Sequence, residues 1–160
     1  MAKHIYKAEI RWERQGDFAA NTYSRGHHWS FDGGVEVPAS ASPAVVPLPY
    51  SVEAAVDPEE AFVASLSSCH MLWFLDLARQ AEFVIESYED EAEATMGGIG
   101  NGKIAITKVM LSPVVTLSGT APGSDVLDQL HHDAHEKCFI ANSVKCDVVC
   151  EPKPVIVKNA

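Results

Sequence analysis

From Ala61 to Leu75 the chain carries no charged side chain, and this run directly follows Asp57-Pro58-Glu59-Glu60. Asp57 is a helix-capping residue type, proline suits the first helical position, and the two acids favour the positive helix end. The sequence predicts a helix from about Glu59 to Ala81. A helix that is apolar all round belongs inside a protein. The charge-free run is shorter than the ~20 apolar residues of a membrane span, so it reads as a core helix with no membrane partner. A chain of 160 residues fits one domain, taken as residues 1–160, but has little left to wrap such a helix on every side. A homodimer supplying part of the cover is therefore expected.

The segments around the helix alternate. Lys3 to Trp12 places Ile5, Lys7 and Glu9 on one face and Tyr6, Ala8, Ile10 and Trp12 on the other, which reads as a strand. Gln15-Gly16-Asp17 marks a turn, and His27 to Val37 is extended around a tight turn at Asp32-Gly33-Gly34. The prolines at 38, 43, 47 and 49 predict an irregular loop. Val84 to Met96 and Lys103 to Leu117 form a long hairpin around a glycine-rich turn, with Pro113 calling for an edge position or a bulge. Ser124 or Asp125 caps a second helix with Leu127, Leu130, Ala134 and Cys138 on its apolar stripe. Strands follow at about Val144–Cys150 and Val155–Lys158. The order strands, helix, hairpin, helix, strands gives an α+β fold.

Composition narrows function by exclusion. A net charge of −10 argues against nucleic acid, which demands a basic patch. The N-terminus leads straight into alternating residues with no apolar leader, so a cytoplasmic location is expected. In that reducing compartment the four cysteines point to catalysis, metal binding or inert packing rather than to disulfide staples.

Cys69 sits mid-helix after Ser67 and Ser68, small hydroxyls where plain packing favours Leu or Val. Cys138 shares the apolar stripe of the second helix. The two cysteines lie 69 residues apart, and spacing alone does not bring them together. His131, His135 and Cys138 fall on one helix face at metal-ligand spacing, but without a second ligand pair; solvent-facing histidines are the plainer reading. Cys146 and Cys150 would stand about 13 Å apart on one strand, too far for a disulfide, and read as packing residues. Arg14 and Arg25 are arginines near turns. Glu59 and Glu60 are first-turn helix acids.

Two motifs in order resemble the OsmC/Ohr family: Asp57 to His70, and His135-Glu136-Lys137-Cys138-Phe139-Ile140-Ala141-Asn142-Ser143. Tyr23-Ser24-Arg25-Gly26-His27 is similar to a motif of one OsmC-like branch. The resemblance implies an antiparallel sheet wrapped around a long buried central helix, in an intertwined homodimer with sites at the subunit interface. It implies thiol-dependent reduction of organic hydroperoxides, with Cys69 attacking, Cys138 closing a disulfide, Arg25 favouring the thiolate, and Glu59 holding Arg25 in place through a charge-assisted pair. No cofactor or metal is implied. The partners implied are the organic hydroperoxide and an external dithiol reductant, such as one of lipoyl type. The alternative on the same fold is a redox-sensing or ligand-binding module that does not turn over. His70 stands where many members carry Phe, and Phe139 where Ohr proteins carry Pro.

Overall fold

The computed structural model describes residues 3–158, and the chain divides into two compact units, Met1–Ala61 and Phe62–Ala160. In the first unit, β1 (Ala8–Arg11) is shorter than the predicted strand. Two short strands, β2 (Gly16–Asp17) and β3 (Thr22–Tyr23), pair antiparallel where the sequence suggested only a turn. Gly16 has φ +96°, and a Cβ there would lie 2.4 Å from the Thr22 carbonyl oxygen, so this close pairing needs glycine. β4 (His27–Phe31) and β5 (Glu36–Ala39) form the predicted hairpin, and β1 pairs with β4 on its other side. The proline-rich stretch that follows is irregular, as read.

Helix α1 spans Pro58–Gln80. Its start is a capping box: the Glu60 N–H donates to Asp57 Oδ1 at 2.8 Å, and the Asp57 N–H donates to Glu60 Oε2 at 3.0 Å. Its end is a left-handed cap at Glu82 (φ 63°), where the Phe83 N–H reaches back to the Ala78 carbonyl at 3.0 Å. With 23 residues α1 is, by length and composition, long and apolar enough to cross a membrane. Within one chain only one face of it is covered, so the expected burial on all sides is not met by this chain alone. Leu66, His70, Phe74 and Ala78 recur every fourth residue and are the fully buried positions.

The predicted long hairpin exists but is broken into two sheets. β6 (Val84–Asp90) and β7 (Glu93–Gly98) form the outgoing arm, and β8 (Ile104–Leu111) and β9 (Pro113–Ser118) the return. β7 pairs with β8 and β6 with β9, both antiparallel. The break falls at Ser112, whose N–H donates to Asp90 Oδ1 at 2.7 Å. Pro113 is therefore not on an edge. It opens β9, the middle strand of its sheet, at the break where no ladder donor is required.

Helix α2 (Ser124–Lys137) is capped by Gly123 rather than by Ser124 or Asp125, which lie in its first turn. A 3-10 turn at Ala141–Ser143 leads to β10 (Asp147–Cys150) and β11 (Ile156–Lys158). These last strands add in parallel, β10 to β8 and β11 to β9, so the sheets are antiparallel with a parallel strand on one side. One core cluster joins Phe74 and Ala78 of α1 to Val115 of β9 and to Leu130 and Ala134 of α2. A second joins Leu66 to Val109 and Leu111 of β8. Burying a side chain such as Leu66 or Phe74 contributes roughly 1.5–3 kcal/mol. These contacts hold α1 and α2 against the sheets and set which of their side chains can meet. The fold is α+β.

Candidate functional site

Cys69 and Cys138 are brought together. Cys69 is half-buried in the middle of α1, and two residues before it the Ser67 hydroxyl donates to Asp90 Oδ2. Cys138 is the residue that ends α2 and is 1% exposed. Its N–H bonds the His135 carbonyl at 3.1 Å, and Asn142 Nδ2 donates to its carbonyl at 3.0 Å. The Cys69 thiol is near enough to act on the Cys138 thiol, and both cysteines are free. Burial, and then the neighbouring Cys69 thiol, push the Cys138 thiol up to about 11. The Ala141 N–H, 3.4 Å from the sulfur, acts the other way and is outweighed. Cys138 is thus held as a neutral thiol beside Cys69.

Arg25 and Glu59 belong to the first unit, and neither pairs with the other. The ion pairs among the described residues are Arg11–Glu9 and Arg79–Asp76. Arg25 instead donates to the Asn21 side chain and the Tyr23 carbonyl, and its guanidinium lies 3.7 Å over the Tyr23 ring. The expectation that Glu59 holds Arg25 is corrected: local backbone and aromatic contacts do so. Glu59 is a half-buried first-turn acid, while Glu60 makes the capping box. Arg25 lines an apolar pocket of about 400 Å³ with Trp12, Phe18, Tyr23 and His27. His27 is fixed by its neighbours: Nδ1 is 2.8 Å from the Arg25 carbonyl, and Trp29 Nε1 donates to Nε2 at 3.0 Å.

A second cluster was missed by the sequence reading. His131 does not face solvent; it is 4% exposed, and its Nδ1 lies 3.1 Å from Nε2 of His70, itself 1% exposed. Cys150 packs beside the Leu66 cluster, as expected, but its sulfur stands 3.6 Å from His70 Nε2 and 3.8 Å from His131 Nδ1. The grouping of His131, His135 and Cys138 does not form, because His131 turns to His70 and Cys138 to Cys69. Burial lowers His70 and His131 to about 4, helped at His70 by the charge of His135 and opposed there by Asp90. Burial also raises Cys150 to about 12. His70 within a charge-free apolar run was the available signal. Its partners lie 61 and 80 residues away and leave no local pattern.

Residues 51–153 match the sequence model of the OsmC-like protein family. A structure of an OsmC-like protein of unknown function from Vibrio cholerae is 52% identical, with a TM-score of 0.92 over 94% of this chain and all of that one. An organic hydroperoxide resistance protein from Elizabethkingia anophelis has a TM-score of 0.62 at 17% identity, covering 99% of this chain and 100% of that one. One from Legionella pneumophila has a TM-score of 0.61 at 16% identity, covering 98% and 100%. At those identities the likeness is one of fold. A search of curated proteins gave no match.

Proposed function

This chain belongs to the OsmC-like protein family, and on that premise we propose that it is a cysteine-based peroxidase reducing organic hydroperoxides to alcohols. The observation that carries the reading is the proximity of the Cys69 and Cys138 thiols, which come from residues far apart in sequence, one in the middle of α1 and the other capping the end of α2. The likeness in fold to organic hydroperoxide resistance proteins supports it.

In this reading the Cys69 thiolate attacks the distal peroxide oxygen. The O–O bond breaks, the alkoxide takes a proton and leaves as alcohol, and Cys69 becomes a sulfenic acid. The Cys138 sulfur then attacks the Cys69 sulfur, forming the disulfide and releasing water. An external dithiol reduces that disulfide by exchange and is itself oxidised. A neutral Cys138 suits this order, because it leaves Cys69 as the first nucleophile. Arg25 is the proposed cation that favours the Cys69 thiolate and orients the peroxide. The protein would work as a cytoplasmic homodimer, its partner covering the apolar positions that α1 leaves exposed.

Steady-state assays with an organic hydroperoxide and a dithiol test the reading. Many turnovers per chain are expected. A stop after a single oxidation would replace it with a redox sensor on the same fold.

A further inference from the structure

We infer that His70, His131 and Cys150 form a binding site for a thiophilic divalent metal ion of the zinc class. The site is separate from the Cys69–Cys138 pair and does not depend on the peroxidase reading. Its three donor atoms all lie within 4.8 Å of one another. Zinc binds imidazole nitrogen at about 2.0–2.1 Å and thiolate sulfur at about 2.3 Å, so a tetrahedral ion spaces two nitrogens by about 3.3 Å and nitrogen from sulfur by about 3.6 Å. The separations here are 3.1 Å between nitrogens, and 3.6 and 3.8 Å from sulfur to nitrogen.

The ring positions agree as well. The centroids of His70 and His131 are 5.4 Å apart and the planes differ by 9°. Two imidazoles on one tetrahedral ion would place their centroids about 5.2 Å apart. In the metal-free protein the two nitrogens lie within hydrogen-bonding distance of each other. Loading swings each ring by about 35° within its plane, so that both lone pairs meet the ion. Two neutral imidazoles and one thiolate bind the ion, and the Cys150 S–H proton leaves to solvent.

The rest of the surroundings support a ligand. His70 and His131 stay neutral in this burial, as ligating histidines must. A cleft of about 400 Å³ lined by His131, His132, His135 and Cys150 opens beside the cluster and gives an entry path and a fourth position for water. Stacking on Phe74, centroids 4.2 Å apart, fixes the plane of the His131 ring while leaving rotation within that plane open. The His70 Nδ1 is buried with no partner, so one ligand lacks the usual outer hydrogen bond. An affinity below that of a closed structural zinc site is expected.

The test is titration of the full-length reduced protein with cobalt(II), then zinc(II). A single cobalt per chain should bind with a thiolate-to-metal charge-transfer band, and zinc should displace it. The Cys69→Ser/Cys138→Ser double variant should keep the band. Cys150→Ser should lose it and bind roughly a hundredfold more weakly or worse. His132→Ala, in the same cleft but outside the cluster, should be unchanged. X-ray absorption of the zinc-loaded wild type should show one sulfur and two imidazole nitrogens, and this reading stands even where Cys150→Ser fails to fold. Absence of stoichiometric binding overturns the inference. So does a band that survives Cys150→Ser, or one that vanishes with the Cys69/Cys138 double variant.

Discussion

His70 Nε2 and His131 Nδ1 meet at 3.1 Å, and Cys69, the residue before His70 on α1, lies near Cys138 at the end of α2. On α1 the two contributors are consecutive residues. On α2 and its cap they are seven apart, about two turns. The redox pair and the imidazole pair therefore both join α1 to the α2 segment while pointing into different surroundings.

Stability of the metal-free protein should fall in mild acid. Both imidazoles titrate near 4 in the fold, against 6.5 normally. The unfolded chain binds protons between those values that the native chain refuses, so stability is full above pH 6.5 and declines as pH falls toward 4. Each ring accounts for on the order of 3 kcal/mol at most, and the coupled pair for less than the sum. His135, Asp90 and Cys150 are the titratable groups facing them. Urea unfolding at pH 7 and pH 4.5 measures the loss, and His131→Gln should flatten it. Equal stability at the two pH values would contradict the buried neutral pair.

Cys69→Ser is expected to abolish organic hydroperoxide reduction. Cys138→Ser should still give one oxidation, leaving a sulfenic acid at Cys69 that a dimedone-type reagent traps. Cys146→Ser and Cys150→Ser should stay within about twofold of wild type. Disulfide closure should quicken as pH rises above neutral, because Cys138 deprotonates only near 11. Rapid-mixing kinetics with mass spectrometry read all of these, and turnover without Cys69 would end the peroxidase reading.

Arg25→Met should slow peroxide reduction at neutral pH by about tenfold or more, because it removes the charge proposed to favour the thiolate and orient the peroxide. Glu59→Gln should be milder, because Asn21 and Tyr23 hold Arg25 without it. Arg14→Met serves as the control. The pH dependence of Cys69 alkylation in the three variants is the measurement. A crippled Arg14→Met beside an unaffected Arg25→Met would reassign the arginine.

The chain should sediment as a dimer. Leu72 lies in the middle of α1 and is 62% exposed within one chain. Leu72→Glu should shift the protein toward monomer at micromolar concentration, as light scattering would show. A monomeric wild type would remove the proposed homodimer.

Local signals in the sequence carried much of this fold. Asp57, Pro58 and Glu60 announced the start of α1, and Asp32 to Gly34 the turn between β4 and β5. Pairing was less legible. Pro113 called for an edge position or a bulge, and the break found at Ser112 instead depends on Asp90, 22 residues earlier. The approach of Cys69 to Cys138 followed from family resemblance, not from spacing. His131 looked solvent-facing because α2 shows a clean apolar stripe without it, and only the packing of His70 explains its burial.

The bond from Ser67 to Asp90 decides more than local geometry. Successive residues on a helix are about 100° apart, so a rotation of α1 by one position would put His70 where Cys69 now stands. Apolar packing is non-directional and resists such a turn only through shape. The hydroxyl–carboxylate bond has a direction. It lies two residues from Cys69, and its carboxylate is anchored at the sheet break through the Ser112 N–H. Asp90 thus acts as an index pin for the azimuth of the helix, keeping sulfur opposite sulfur and imidazole opposite imidazole.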